Sequence, residues 1–235
     1  MKKLACLLIV SAIIFGLFYT GTVTADKLLF WSEDAITWSI GALGSLLEKV
    51  QAINASAVSK EDILLVNADH PLPDSYSPGT LVNLYQQKRH FLLARDDLYL
   101  EKETFEAANR MFEEAEKQGL NGFIITSAYR TREDQQRIFL ETPSGYAQKP
   151  GCSEHETGLA FDVTARSDDG SFENTPQCKW LLKNCWKYGF IQRYPEGKEQ
   201  ITGIEHEPWH YRYVGVETAR KIHASALTLE EYLAR

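Results

Sequence analysis

From Glu101 onward the apolar residues Phe105, Ala108, Met111, Phe112 and Ala115 fall three or four apart, the spacing of one helix face. Gly119 stands where such a helix needs a left-handed residue to stop, so the pattern predicts an amphipathic helix ending just before it. The following GFIITSAYR is dense in β-branched and aromatic residues and predicts a buried strand. TREDQQRIFLE then predicts a helix capped by Thr131 with acids in its first turn, which puts Arg130 at a strand-to-helix junction. Further on, GLAFDVTA alternates like a strand. TPQCKWLLKNCWKYG has Thr175 as a cap, Pro176 at the first helical position and Gly189 as a stop. FIQRY and the segment around WHYRYV predict further strands, and TLEEYLAR a short closing helix with a capping box from Thr228 to Glu231. Upstream, ILLVNADHPLP predicts a strand running into a Pro-punctuated loop. Strands and helices mix without regular βαβ alternation, so the expected class is α+β: one domain with a small antiparallel sheet flanked by helices.

The N-terminus follows a different pattern. Lys2 and Lys3 precede LACLLIVSAIIFGLFY and then TGTVTADK, the shape of an export segment with small residues suited to cleavage after Ala25. The uncharged run from Leu4 to Ala25 also has the length of a spanning helix, about 20 residues. Residues 1–25 are thus expected to be a signal peptide or an N-terminal membrane anchor. Residues 26–60 mix Leu, Ile and Trp with small polar residues and read as a stalk, and the main folded domain is expected over 61–235. The chain has 235 residues, which leaves room for one ordinary domain plus this appendage.

Apolar residues make up 44% and charged residues 24%, a globular balance that excludes general disorder. A net charge of −7 and the short reach of the only basic run, around Gln86–His90, set nucleic acid aside, because phosphate binding needs clustered Lys and Arg. Outside the leader, which holds Cys6, the cysteines are Cys152, Cys178 and Cys185. The last two lie two helical turns apart, roughly 10 Å, beyond disulfide reach. Any bridge therefore involves Cys152, and buried free thiols are the alternative.

The chemistry concentrates in two segments. SEHETGLAFD holds His155 and Asp162, separated by a turn that enters a strand. Zinc accepts imidazole and carboxylate, and a catalytic site keeps three protein ligands and one open position. A His and an Asp seven apart also fit a surface His and a turn Asp, so a third ligand must come from elsewhere. IEHEPWHYRYV supplies candidates in His206, Glu207 and His210, and formally matches the helical H-E-x-x-H zinc motif. Pro208 argues against a helix there, since it removes a backbone donor and clashes with the preceding turn at a cost of about 3 kcal/mol, and YRYV favours a strand. His210 is therefore retained as the ligand, with Glu207 turned toward the same metal by the Pro bend and His206 facing away. A helical protease using Glu230 or Glu231 as a downstream ligand remains a rival.

The pattern S-x-H-x-x-G-x-A-x-D followed by E-P-W-H-Y-R-Y-V resembles the zinc D,D-carboxypeptidases of the VanY type, a group that includes VanX-type dipeptidases, L,D-carboxypeptidases and the hedgehog domain. The resemblance runs from about Ile63 to Tyr232. It implies a Zn2+ cofactor held by His155, Asp162 and His210, with Glu207 as general base. It also implies that Arg130, in the segment Ser127 to Arg130, polarises the scissile carbonyl, and that Ser153 and Gln135 contact the substrate carboxylate. Arg212, two residues past a ligand in a strand, fits a structural ion pair better. The implied substrate is a peptidoglycan stem peptide, from which terminal D-Ala is removed. The alternatives are L,D-carboxypeptidase activity on tetrapeptide stems and a non-catalytic zinc-stabilised wall-binding module. The membrane enters as a partner only through an uncleaved leader.

Overall fold

A computed structural model describes residues 60–142, 147–166 and 170–235, all within one compact unit, Ala57–Arg235. The expected leader, and the stalk up to residue 59, lie outside the described residues. Among the described residues no helix is long and apolar enough to cross a membrane.

Three short strands open the order: β1 (Leu81–Asn83), β2 (Leu92–Leu93) and β3 (Tyr99–Glu101). Helix α1 (Lys102–Lys117), β4 (Phe123–Ser127) and α2 (Arg132–Glu141) follow, then a 3-10 turn at Glu154–Thr157 and β5 (Ala160–Ala165). The second half runs α3 (Pro176–Asn184), β6 (Phe190–Tyr194), α4 (Glu199–Thr202), β7 (Glu207–Tyr213), α5 (Val216–Ser225) and α6 (Leu229–Leu233). The capping signals act as expected. Thr131 Oγ1 accepts from Asp134 N at 3.1 Å, Thr175 Oγ1 accepts from Cys178 N at 3.1 Å, and Thr228 and Glu231 close a reciprocal capping box. Each of these satisfies a donor that the first turn leaves without a partner. Gly119 and Gly189 adopt φ of +80° and +89°, the left-handed stops that the sequence predicts.

Strands β2, β4, β5, β7 and β6 lie side by side in that order, and β1 pairs with β3 in a separate two-stranded sheet. Helix α1 covers one face of the larger sheet. Its buried Phe105, Ala108, Met111, Phe112 and Ala115 share one apolar core with Phe123, Ile125, Phe161, Val163, Phe190 and Tyr211 from the strands. The aromatic rings meet in tilted and edge geometries, Phe112 with Phe123 at 4.8 Å and Phe161 with Phe190 at 5.3 Å. A smaller cluster of Ile191, Val214, Ala219, Ile222 and Leu229 fixes α5 and α6.

Three expectations change. The sheet is antiparallel except for β2, which runs parallel to β4. The strand expected in ILLVNADHPLP does not form: Ile63 and Leu65 pack on the smaller cluster, and the Leu64 carbonyl is taken by the Arg212 side chain at 2.7 Å rather than by a neighbouring strand. The apolar run there reflects partial burial without a ladder. Cys178 and Cys185 do not share one α-helix, because α3 ends at Asn184 and a 3-10 turn, Cys185–Tyr188, takes over; both, like Cys152, are buried free thiols.

Candidate metal centre and active site

Two adjacent strands and one turn converge on a cavity of about 300 Å³. Asp162 on β5 and His210 on β7 are direct cross-strand partners, so their side chains leave the same face of the sheet. Neighbours Phe161 and Tyr211 point into the apolar core, as the period of two requires. His155 comes from the Glu154–Thr157 turn, which Gly158 ends at φ +72°. A Cβ at Gly158 would stand 2.9 Å from Leu81 Cδ2 and 3.3 Å from the Glu101 backbone nitrogen, so both the conformation and the space require glycine. Ladder irregularities flank the centre. One lies between Ile125 and Ser127 opposite Asp162, the other between Gln192 and Tyr194 opposite the Pro208 bend, where β7 runs on to Glu207. Such bulges re-aim side chains, and a proline that has no N–H to donate is accommodated there.

One ligand atom from each of His155, Asp162 and His210 lies within 4.8 Å of the others. His155 Nδ1 donates to the Ala128 carbonyl at 2.7 Å, leaving Nε2 facing Asp162 Oδ2 at 3.3 Å. His210 Nδ1 faces Asp162 Oδ1 at 3.0 Å, and its Nε2 faces Glu154 Oε2 at 3.3 Å. Two imidazoles, each oriented through its far nitrogen, and one carboxylate form a donor set that fits zinc. Glu207 Oε2 stands 3.7 Å from His210 Nδ1, and Arg130 Nη2 stands 3.7 Å from Asp162 Oδ2. Ser153 and Gln135, both buried, line the same cavity.

The electrostatics follow from burial against charge. Burial pushes the Asp162 carboxyl up, but His155 and His210 beside it hold it well below the usual carboxylate range. Burial disfavours charge on His155 and lowers it, despite Asp162. At His210 burial also opposes charge, yet Asp162 and Glu154 prevail and raise it to about 9. Burial pushes Glu207 up, partly offset by His210.

The family model for VanY, D-alanyl-D-alanine carboxypeptidase, matches residues 97–216, more than half of the chain. The chain belongs to this family. It is 36% identical over 186 residues to a D-alanyl-D-alanine carboxypeptidase of Enterococcus faecium, covering 78% of this chain and 61% of that relative, so it spans less than two thirds of that protein's length. The solved structure of the LdcB LD-carboxypeptidase is similar at 38% identity and TM-score 0.66, over 74% of this chain and 87% of that one. A mutant of the vancomycin-resistance D,D-pentapeptidase VanY in complex with Zn(II) is similar at 35% identity and TM-score 0.60, over 72% of this chain and 97% of that one.

VanY-family motif residues therefore meet at one cavity. His206 stays out of the metal cluster: it contacts Gln192 at 3.1 Å and lies 3.9 Å from Glu173. The helical protease reading is excluded, because Glu207–Tyr213 is a strand, Glu230 pairs with Arg193 and Glu231 with Lys198. Arg212 is the structural ion pair expected of it, donating to Glu154 at 2.8 Å. Gln135 uses its amide oxygen on Arg130 Nη1 at 2.8 Å and one amide hydrogen on the Gln148 carbonyl at 2.6 Å. Sequence reasoning missed Glu154, which meets His210, and Arg193, which pairs with Glu154; both side chains are fully buried. Adjacency to His155 was the one signal for Glu154, and nothing local pointed to Arg193.

Proposed function

We propose that the chain is a zinc-dependent D,D-carboxypeptidase that removes the terminal D-alanine from peptidoglycan stem peptides outside the cytoplasm, with residues 1–25 exporting the domain and, where cleavage after Ala25 does not occur, tethering it. One observation carries this reading: the three ligand atoms of His155, Asp162 and His210 converge within 4.8 Å on a cavity that Glu207 and Arg130 also line.

Zinc bound there supplies a Lewis acid that polarises a carbonyl and brings the pKa of a water toward about 7. The remaining work belongs to the chain. Glu207 removes the proton of the attacking water and passes it to the amine of the departing D-alanine, a role aided by the burial that raises its proton affinity. Arg130 is held by Ser127 Oγ at 3.2 Å and by Gln135, and presents its guanidinium to the negative charge that develops on the carbonyl oxygen. Ser153, and the amide hydrogen of Gln135 not given to Gln148, receive the substrate carboxylate.

A second reading, L,D-carboxypeptidase action on tetrapeptide stems, is favoured by the likeness to the LdcB structure, with TM-score 0.66 against 0.60 for the zinc-bound VanY mutant. Measuring D-alanine release from pentapeptide and tetrapeptide stems separates the two. Release from the pentapeptide is expected. Release from the tetrapeptide alone would replace the first reading by the second, and no release from either would leave a zinc-stabilised binding module.

A further inference from the structure

We infer that Glu154 is a positioning residue: its carboxylate fixes which nitrogen of His210 is offered to the metal. The inference rests on the zinc reading and deepens it. Glu154 Oε1 accepts two hydrogen bonds, from Arg193 Nε at 2.7 Å and Arg212 Nη1 at 2.8 Å. Both arginines are anchored elsewhere. Arg193 donates through its other two nitrogens to Glu230 at 2.9 and 2.6 Å, and Arg212 donates to the Leu64 and Tyr213 carbonyls at 2.7 and 3.0 Å. With one oxygen so clamped the carboxylate cannot turn, and Oε2 stays 3.3 Å from His210 Nε2.

An ionised carboxylate only accepts hydrogen bonds, so the proton of a neutral His210 belongs on Nε2. Nδ1, the nitrogen that faces Asp162 and Glu207, is then bare. One 3-10 turn thus supplies a ligand directly, His155, and through the residue before it sets the tautomer of a second ligand across the sheet. A role confined to neutralising two buried arginines would not require the second oxygen to meet an imidazole.

Glu154→Gln separates these roles. Its amide oxygen can keep both arginines, but its NH2 group then faces Nε2, which must become the acceptor. The His210 proton moves to Nδ1 and occupies the ligand position. Glu230→Gln removes a charge from the same arginine network without touching His210. Chelator competition on the purified proteins is expected to show zinc affinity lowered about 10- to 100-fold in Glu154→Gln, with a folded circular-dichroism spectrum, and unchanged in Glu230→Gln. Nitrogen NMR of histidine-labelled, zinc-loaded wild type is expected to find the His210 proton on Nε2, a measurement that does not depend on how the variants fold. Wild-type affinity in Glu154→Gln, an equal loss in Glu230→Gln, or a proton on Nδ1 would each overturn the positioning role alone. A wild-type protein that takes up no zinc would overturn the metal reading and this inference with it.

Discussion

The two faces of the central sheet are built from alternate residues of the same strands and hold opposite kinds of interior. On one face Phe161, Val163 and Tyr211 join Phe112 and Met111 of α1 in a core stabilised by apolar burial, where no partner has to be exact in chemistry. On the other, Asp162, His210 and Arg212 lie among Glu154, Arg193 and His155, where every charge needs a matching group at hydrogen-bond distance. The apolar face makes the sheet rigid, and that rigidity lets the polar face hold the three proposed ligand atoms in register. A substitution on the first face should therefore cost stability, and one on the second should cost chemistry.

Glu207→Ala is the largest expected break in that division. Activity should fall by about 100- to 10,000-fold, while zinc content and melting temperature stay near wild type; D-alanine release and metal analysis on one preparation check it. Retention of full activity would remove Glu207 as the base. Phe161→Ala should do the reverse, lowering unfolding free energy by about 3–5 kcal/mol in denaturant titration. At temperatures where that variant is still folded, it should bind zinc and cleave substrate normally.

The pH dependence of metal binding sharpens the comparison further. His210 is raised to about 9, so at neutral pH the metal-free site carries a proton that zinc must displace, whereas His155 is lowered and carries none. Zinc affinity should rise by about tenfold per pH unit from pH 7 toward 9 and then level, a slope that titration calorimetry in several buffers can measure. In the metal-free protein the sign is opposite. A raised histidine contributes stability that is complete below its ordinary value of 6.5 and is lost as pH rises through about 9.

Much of this was legible in the chain because the proposed ligands sit in two short segments whose spacing matches strand and turn geometry. Pro208 and the aromatic, β-branched YRYV after it together point to a strand around His210, and the bulge opposite Pro208 is the structural counterpart. Caps at Thr131, Thr175 and Thr228 are local hydrogen bonds, and local sequence specifies them. Strands β1, β2 and β3, of two or three residues each, carry too few positions to show a period. The run from Ile63 to Val66 shows the converse, an apolar stretch that is partly buried but forms no strand. The pairing of Arg193 with Glu230 was invisible for a third reason: it spans 37 positions, and a buried ion pair leaves no signature in either neighbourhood.

Zinc stoichiometry in two single variants tests the central claim most directly. Metal analysis of wild type, Asp162→Ala and His206→Ala should find zinc in the first and third and lose it in the second. Zinc retained by Asp162→Ala and lost from His206→Ala would contradict the His155, Asp162 and His210 centre.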